Sequence, residues 1–129
     1  MIDVAILNTS EDTIALLCEI VTEEGWSATS DYIVEFRRDR QDISAFFQKH
    51  QPKVVIYDLA VPYEENWQFL RECVVPASGL SHGQFVLTTT NKGALEQLVG
   101  QTPTIELIAK PFDIDEVVQA VHRAMGVST

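Results

Sequence analysis

Short apolar runs alternate with longer segments of helical period along the whole chain, which predicts an α/β domain with a parallel sheet. Residues 2–7 form the first run, a strand. Residues 10–25 follow as a helix, with Ile14, Leu17, Ile20 and Val21 at helical spacing and Gly25 as a stop signal. A weaker run over 26–36, centred on Tyr32, Ile33 and Val34, reads as the second strand. Residues 40–50 return to helical period through Ile43, Phe46 and Phe47, and Pro52 closes that helix.

The third strand, residues 53–57, runs straight into Asp58. Residues 64–75 carry a broad helical stripe of Trp67, Phe69, Leu70, Cys73 and Val74, and GLSHG at 79–83 is a loop. Residues 84–88 are a strand, 91–100 a short helix or mobile segment, and 104–109 the last strand. Residues 113–125 are the last helix, with Ile114, Val117, Val118, Val121 and Met125 on one stripe. Five βα units without a repeat or low-complexity linker make a single domain, residues 1–129.

Composition narrows what such a domain does. With 129 residues, 46% of them hydrophobic, the chain can bury a core without disulfides or metals. A net charge of −10, from 19 acidic and 9 basic side chains, repels nucleic acid and anionic membrane surfaces, so neither is expected as a partner. The basic cluster FRRDR at 36–40 is broken by Asp39 and reads as a solvated turn. Cys18 and Cys73 lack a CxxC spacing and are expected as reduced, core or half-buried thiols. No leader or membrane-spanning run is visible at residues 1–10 or beyond, which makes a cytoplasmic protein the expectation.

In open parallel sheets, chemistry sits outside the carboxyl ends of the strands. Those ends here are Asn8 and Thr9 after the first strand, Asp58 after the third, Thr88 after the fourth, and Lys110 after the fifth. A carboxylate, a hydroxyl and an ammonium would converge on one small polar mouth. A carboxylate flanked by an ammonium and a hydroxyl is a set able to support chemistry in which charge develops at the carboxylate. No GxGxxG, P-loop or GxSxG motif competes for the assignment.

At these residues the chain resembles the receiver domain of bacterial two-component response regulators. The resemblance is carried by DLAVP at 58–62, by Thr88 after FVL, and by KPF at 110–112, in order and at family spacing. It implies a flavodoxin-like, CheY-like sheet in the order 2-1-3-4-5 and a cis Lys110–Pro111 peptide. It further implies a phosphoacceptor at Asp58, with Thr88 and Lys110 as ligands of the phosphoryl oxygens. The implied partners are a histidine kinase or phosphotransfer protein, a downstream signalling protein, and a second copy of the chain through its last two helices.

Three departures stand beside the match. Receivers carry two acidic residues after the first strand that help the phosphoacceptor hold Mg²⁺, and here Asn8 and Thr9 occupy those places. Mg²⁺ binding is therefore expected to be weakened, with Asp58, the main-chain carbonyl of Ala60 and Asn8 as its ligands and Glu11 or Asp12 as substitutes. Leu107 falls where many members carry a switching aromatic residue, and Glu64 to Trp67 lack the usual glycine.

Blander roles compete for several of these residues. Glu11 and Asp12 suit the first turn of a helix, with Thr9 or Ser10 as its cap. His50, His82 and His122 lie on different elements and suggest no metal or catalysis, and Trp67 suggests packing. Two functions remain open: a stand-alone phosphoacceptor, not a metabolic enzyme, and a pseudo-receiver that binds partners without phosphorylation.

Overall fold

The computed structural model describes residues 1–100 and 106–126. Its five strands are β1 (Val4–Asn8), β2 (Ala28–Tyr32), β3 (Val54–Asp58), β4 (Phe85–Thr89) and β5 (Glu106–Ala109). They pair in parallel in the order β2-β1-β3-β4-β5, as expected. The first two residues of the expected last strand, Thr104 and Ile105, lie outside the described residues.

Every residue of β1, β3 and β4 is buried, which is why those segments read as apolar runs. Strand β2, ATSDY, is an edge strand with only partial burial, and its composition carries no apolar signal. The strand lies earlier than its expected centre at Tyr32 to Val34. Ile33 and Val34 belong instead to a short helix, α2 (Ile33–Arg37), which buries Ile33 and Phe36 one turn apart.

Helices cover both sheet faces. One core cluster joins Ala5, Leu7, Val55, Tyr57 and Leu87 to α2, to α3 (Ile43–His50) through Phe46 and Phe47, and to α4 (Tyr63–Phe69) through Trp67. The opposite cluster joins Val4, Ile6, Val54, Ile56 and Val86 to α1 (Glu11–Glu23) and α7 (Ile114–Met125). Alternation along each strand thus sends odd and even positions to different helical layers.

Helix starts follow the side chains that can accept main-chain N–H groups. Ser10 caps α1, Asp42 caps α3, and Asn91 caps α6 (Lys92–Val99), so residues 91–100 are a capped helix. Helix α4 runs into a π turn, Leu70–Val74, and then α5 (Val75–Ser78). Pro76 gives a physical reason: it has no N–H to donate back along the helix and its ring crowds the preceding turn, so the ladder widens just before it.

Two expected core positions are corrected. Cys73 is exposed, because the π turn rotates it off the buried line of Trp67, Leu70 and Val74. Ile114, at the first position of α7, is 59% exposed, since the stripe that meets the sheet is Val117, Val118, Val121 and Ala124.

Candidate functional site

Four polar side chains stand on one face and one edge of the sheet. Asn8 follows Val4 and Ile6 by strand alternation, Asp58 follows Val54 and Ile56, and Thr88 follows Val86. Lys110 lies two positions past Ile108, another member of that face. Register aligns the carboxyl ends: Asp58 pairs with Thr88, Thr88 with Ile108, and Leu7 with Tyr57, which brings Asn8 level with Asp58 one step on.

Asp58 is 5% exposed and has partners, as a buried carboxylate must. Thr88 Oγ1 donates to its Oδ1 at 2.9 Å, and Lys110 Nζ lies 2.5 Å from the same oxygen. Both contacts fall on Oδ1, and among the described residues no side-chain hydrogen bond or ion pair falls on Oδ2. Lys110 itself is anchored through its main chain, whose N–H donates to Thr89 O at 2.7 Å. The Lys110–Pro111 peptide is cis, as is Val61–Pro62.

The residues expected to hold Mg²⁺ are otherwise engaged. Asn8 Oδ1 accepts the main-chain N–H groups of Thr9 at 2.7 Å and Ser10 at 3.0 Å. Its Nδ2 is buried without a hydrogen-bond partner among the described residues. The carbonyl of Ala60 accepts from Asn66 Nδ2 at 2.7 Å. Glu11 and Asp12 are exposed in the first turn of α1, below Ser10 as cap, and Thr9 is exposed too.

Among the described residues no three His, Cys, Asp or Glu side chains gather as a metal would require. Beside the Asp58 carboxylate and the Thr88 hydroxyl, a hard cation would find the Lys110 ammonium and no second carboxylate. Asn8 Oδ1 and the Ala60 carbonyl, the oxygens expected as weak Mg²⁺ ligands, each already accept N–H groups, so this donor set suits Mg²⁺ poorly.

Asn66 is a residue that sequence reasoning missed. Arg37 Nη1 donates to its Oδ1 at 2.7 Å, so a chain of hydrogen bonds runs from α2 through Asn66 to the loop after Asp58. Arg37 also stands over the Phe69 ring at 4.8 Å. No spacing rule exposes this link, because its partners meet only once α2 and α4 pack on the same sheet face.

The remaining candidates lie elsewhere. His50 packs on Phe46 and His122 on Trp26, and His82 opens a 3-10 turn before β4. Leu107 is partly buried against the α4 side of the sheet. A cavity of about 570 Å³ lined by Val61, Tyr63, Glu65, Ala94 and Leu98 flanks the loop after Asp58 without including Asp58.

No family model matches the sequence, and no curated protein matches it. Solved structures do match in fold. The chemotaxis protein CheY4 of Vibrio cholerae is 15% identical, with 96% of this chain and 99% of that one covered at a TM-score of 0.69. A response regulator receiver protein of Sinorhizobium medicae is 13% identical, with 98% and 95% covered at 0.71. A de novo designed Rossmann 2x3 protein also matches, at 19% identity, 95% and 87% coverage and 0.60. The chain has the fold of response regulator receiver domains, and its function must be argued from the site.

Proposed function

We propose that this chain is a receiver-type signalling domain, not a metabolic enzyme, which accepts a phosphoryl group on Asp58 from a phosphohistidine of a histidine kinase or phosphotransfer protein. The observation that carries the reading is the three-residue contact at the sheet edge. One carboxylate oxygen is held by Thr88 and Lys110 while the other has no side-chain partner among the described residues.

The residues suit each part of the transfer. Asp58 Oδ2 attacks phosphorus in line; the new O–P bond forms as the N–P bond of the phosphohistidine breaks. The electron pair returns to the imidazole nitrogen, which leaves on the donor protein. Lys110 offsets the charge that spreads over the phosphoryl oxygens, and Thr88 offers its hydroxyl to one of them. A downstream signalling protein then reads the modified mouth.

The test is incubation with phosphoramidate, a small donor that carries the same N–P bond, followed by intact mass measurement. One added phosphoryl group in the wild type, absent in Asp58→Asn, is the expected result. An unmodified wild type under conditions that label a working receiver overturns the proposal.

One observation favours a second reading, a phosphorylation-independent interaction module. Asn8 and Thr9 leave the mouth without its usual carboxylates, and Lys110 closes over Asp58. On that reading partners bind the unmodified fold, and Asp58→Asn leaves their binding unchanged.

A further inference from the structure

We infer that Asn8 is an oxyanion donor, so that the mouth around Asp58 takes a phosphoryl-type ligand without a divalent cation. This rests on Asp58 being the acceptor, and it concerns what replaces the metal.

An amide side chain has an acceptor end and a donor end, and here its orientation is pinned. Oδ1 accepts two main-chain N–H groups, from Thr9 and Ser10; turning the amide over would set N–H against N–H. Nδ2 is therefore the end left over. The residue is 1% exposed and this nitrogen has no partner among the described residues. A buried, unpartnered donor is a costly feature that calls for an explanation, and an arriving oxygen supplies one.

Around the Asp58 carboxylate the other polar side chains on this face are donors. Asn8 shares its face and edge with Thr88 and Lys110, which present a hydroxyl and an ammonium. The Lys110 side chain is 25% exposed against 3% for Asp58, so Lys110 is the member able to swing aside and follow a ligand oxygen. The two oxygens that could have drawn a metal, Asn8 Oδ1 and Ala60 O, are each bound to N–H donors. At the strand position level with Asp58 this chain thus offers an oxyanion an amide N–H, where a metal-dependent mouth presents carboxylates.

Beryllofluoride, a phosphoryl mimic, tests this by ¹⁹F NMR on the full chain in EDTA and in excess Mg²⁺. Wild type is expected to bind in EDTA, with affinity changed less than about twofold by Mg²⁺. Asn8→Asp keeps an oxygen for Thr9 and Ser10 but replaces the donor by a charge. It should bind about tenfold or more weakly in EDTA and recover with Mg²⁺. Binding by wild type only in Mg²⁺ overturns the inference and leaves Asp58 as acceptor. Equal binding by Asn8→Asp and wild type in EDTA overturns the role of Asn8. No binding in either condition overturns the inference together with the reading of Asp58 on which it rests.

Discussion

Lys110 Nζ sits 2.5 Å from Asp58 Oδ1, on the oxygen that also accepts the Thr88 hydroxyl. The pair is asymmetric, because the Asp58 side chain is 3% exposed and the Lys110 side chain 25%.

That asymmetry makes the two halves unequal in stability. Lys110→Met strands a buried carboxylate with one neutral donor and is expected to cost about 2 kcal/mol or more. Asp58→Asn leaves a lysine that can turn to solvent, and should cost less than about 1 kcal/mol or even stabilise. Urea denaturation of both variants checks the order; a costlier Asp58→Asn would contradict it.

Asn66 ties α2 to the loop that follows Asp58. Asn66→Ala removes the donor to Ala60 O and the acceptor for Arg37, and should destabilise by about 1–2 kcal/mol. Hydrogen exchange at residues 59–61 is expected to rise more than exchange in β4. Uniform change across the sheet would show that Asn66 acts on the fold as a whole.

Asp3 predicts part of the acid limb. Its carboxyl accepts the Ser27 main-chain N–H at 2.9 Å and faces Lys53 Nζ at 3.4 Å, and the first of these chiefly holds its pKa below the ordinary 3.8. A lowered folded value means the stabilisation is present above about pH 3.8 and is lost as pH falls through the folded value. Asp3→Asn should therefore lower the urea midpoint at pH 7 and narrow its gap to wild type near pH 3. A gap that widens in acid has the wrong sign.

The two thiols should separate kinetically. Cys73 is exposed, whereas Cys18 is half-buried and desolvation raises its pKa, which lowers its thiolate fraction. A disulfide reagent at pH 8 is expected to label Cys73 first, and Cys73→Ser should remove the fast phase. Retention of that phase would place Cys18 at the surface.

The residue order determined the fold class and the place of Asp58 at the strand edge. Three fully buried strands must be apolar on both faces, so β1, β3 and β4 announce themselves, and the polar residues that end them mark the carboxyl edge. Asp58, Thr88 and Lys110 were legible as candidates for that reason. Edge strand β2 was not, because a strand with one neighbour and partial burial carries no apolar run. Only the tertiary structure decided which end of the Asn8 amide is bonded, which oxygen of Asp58 is held, and that Asn66 occupies the Ala60 carbonyl. Those outcomes turn on hydrogen-bond directions among groups distant in the chain, and a sequence fixes a donor's identity without fixing its partner.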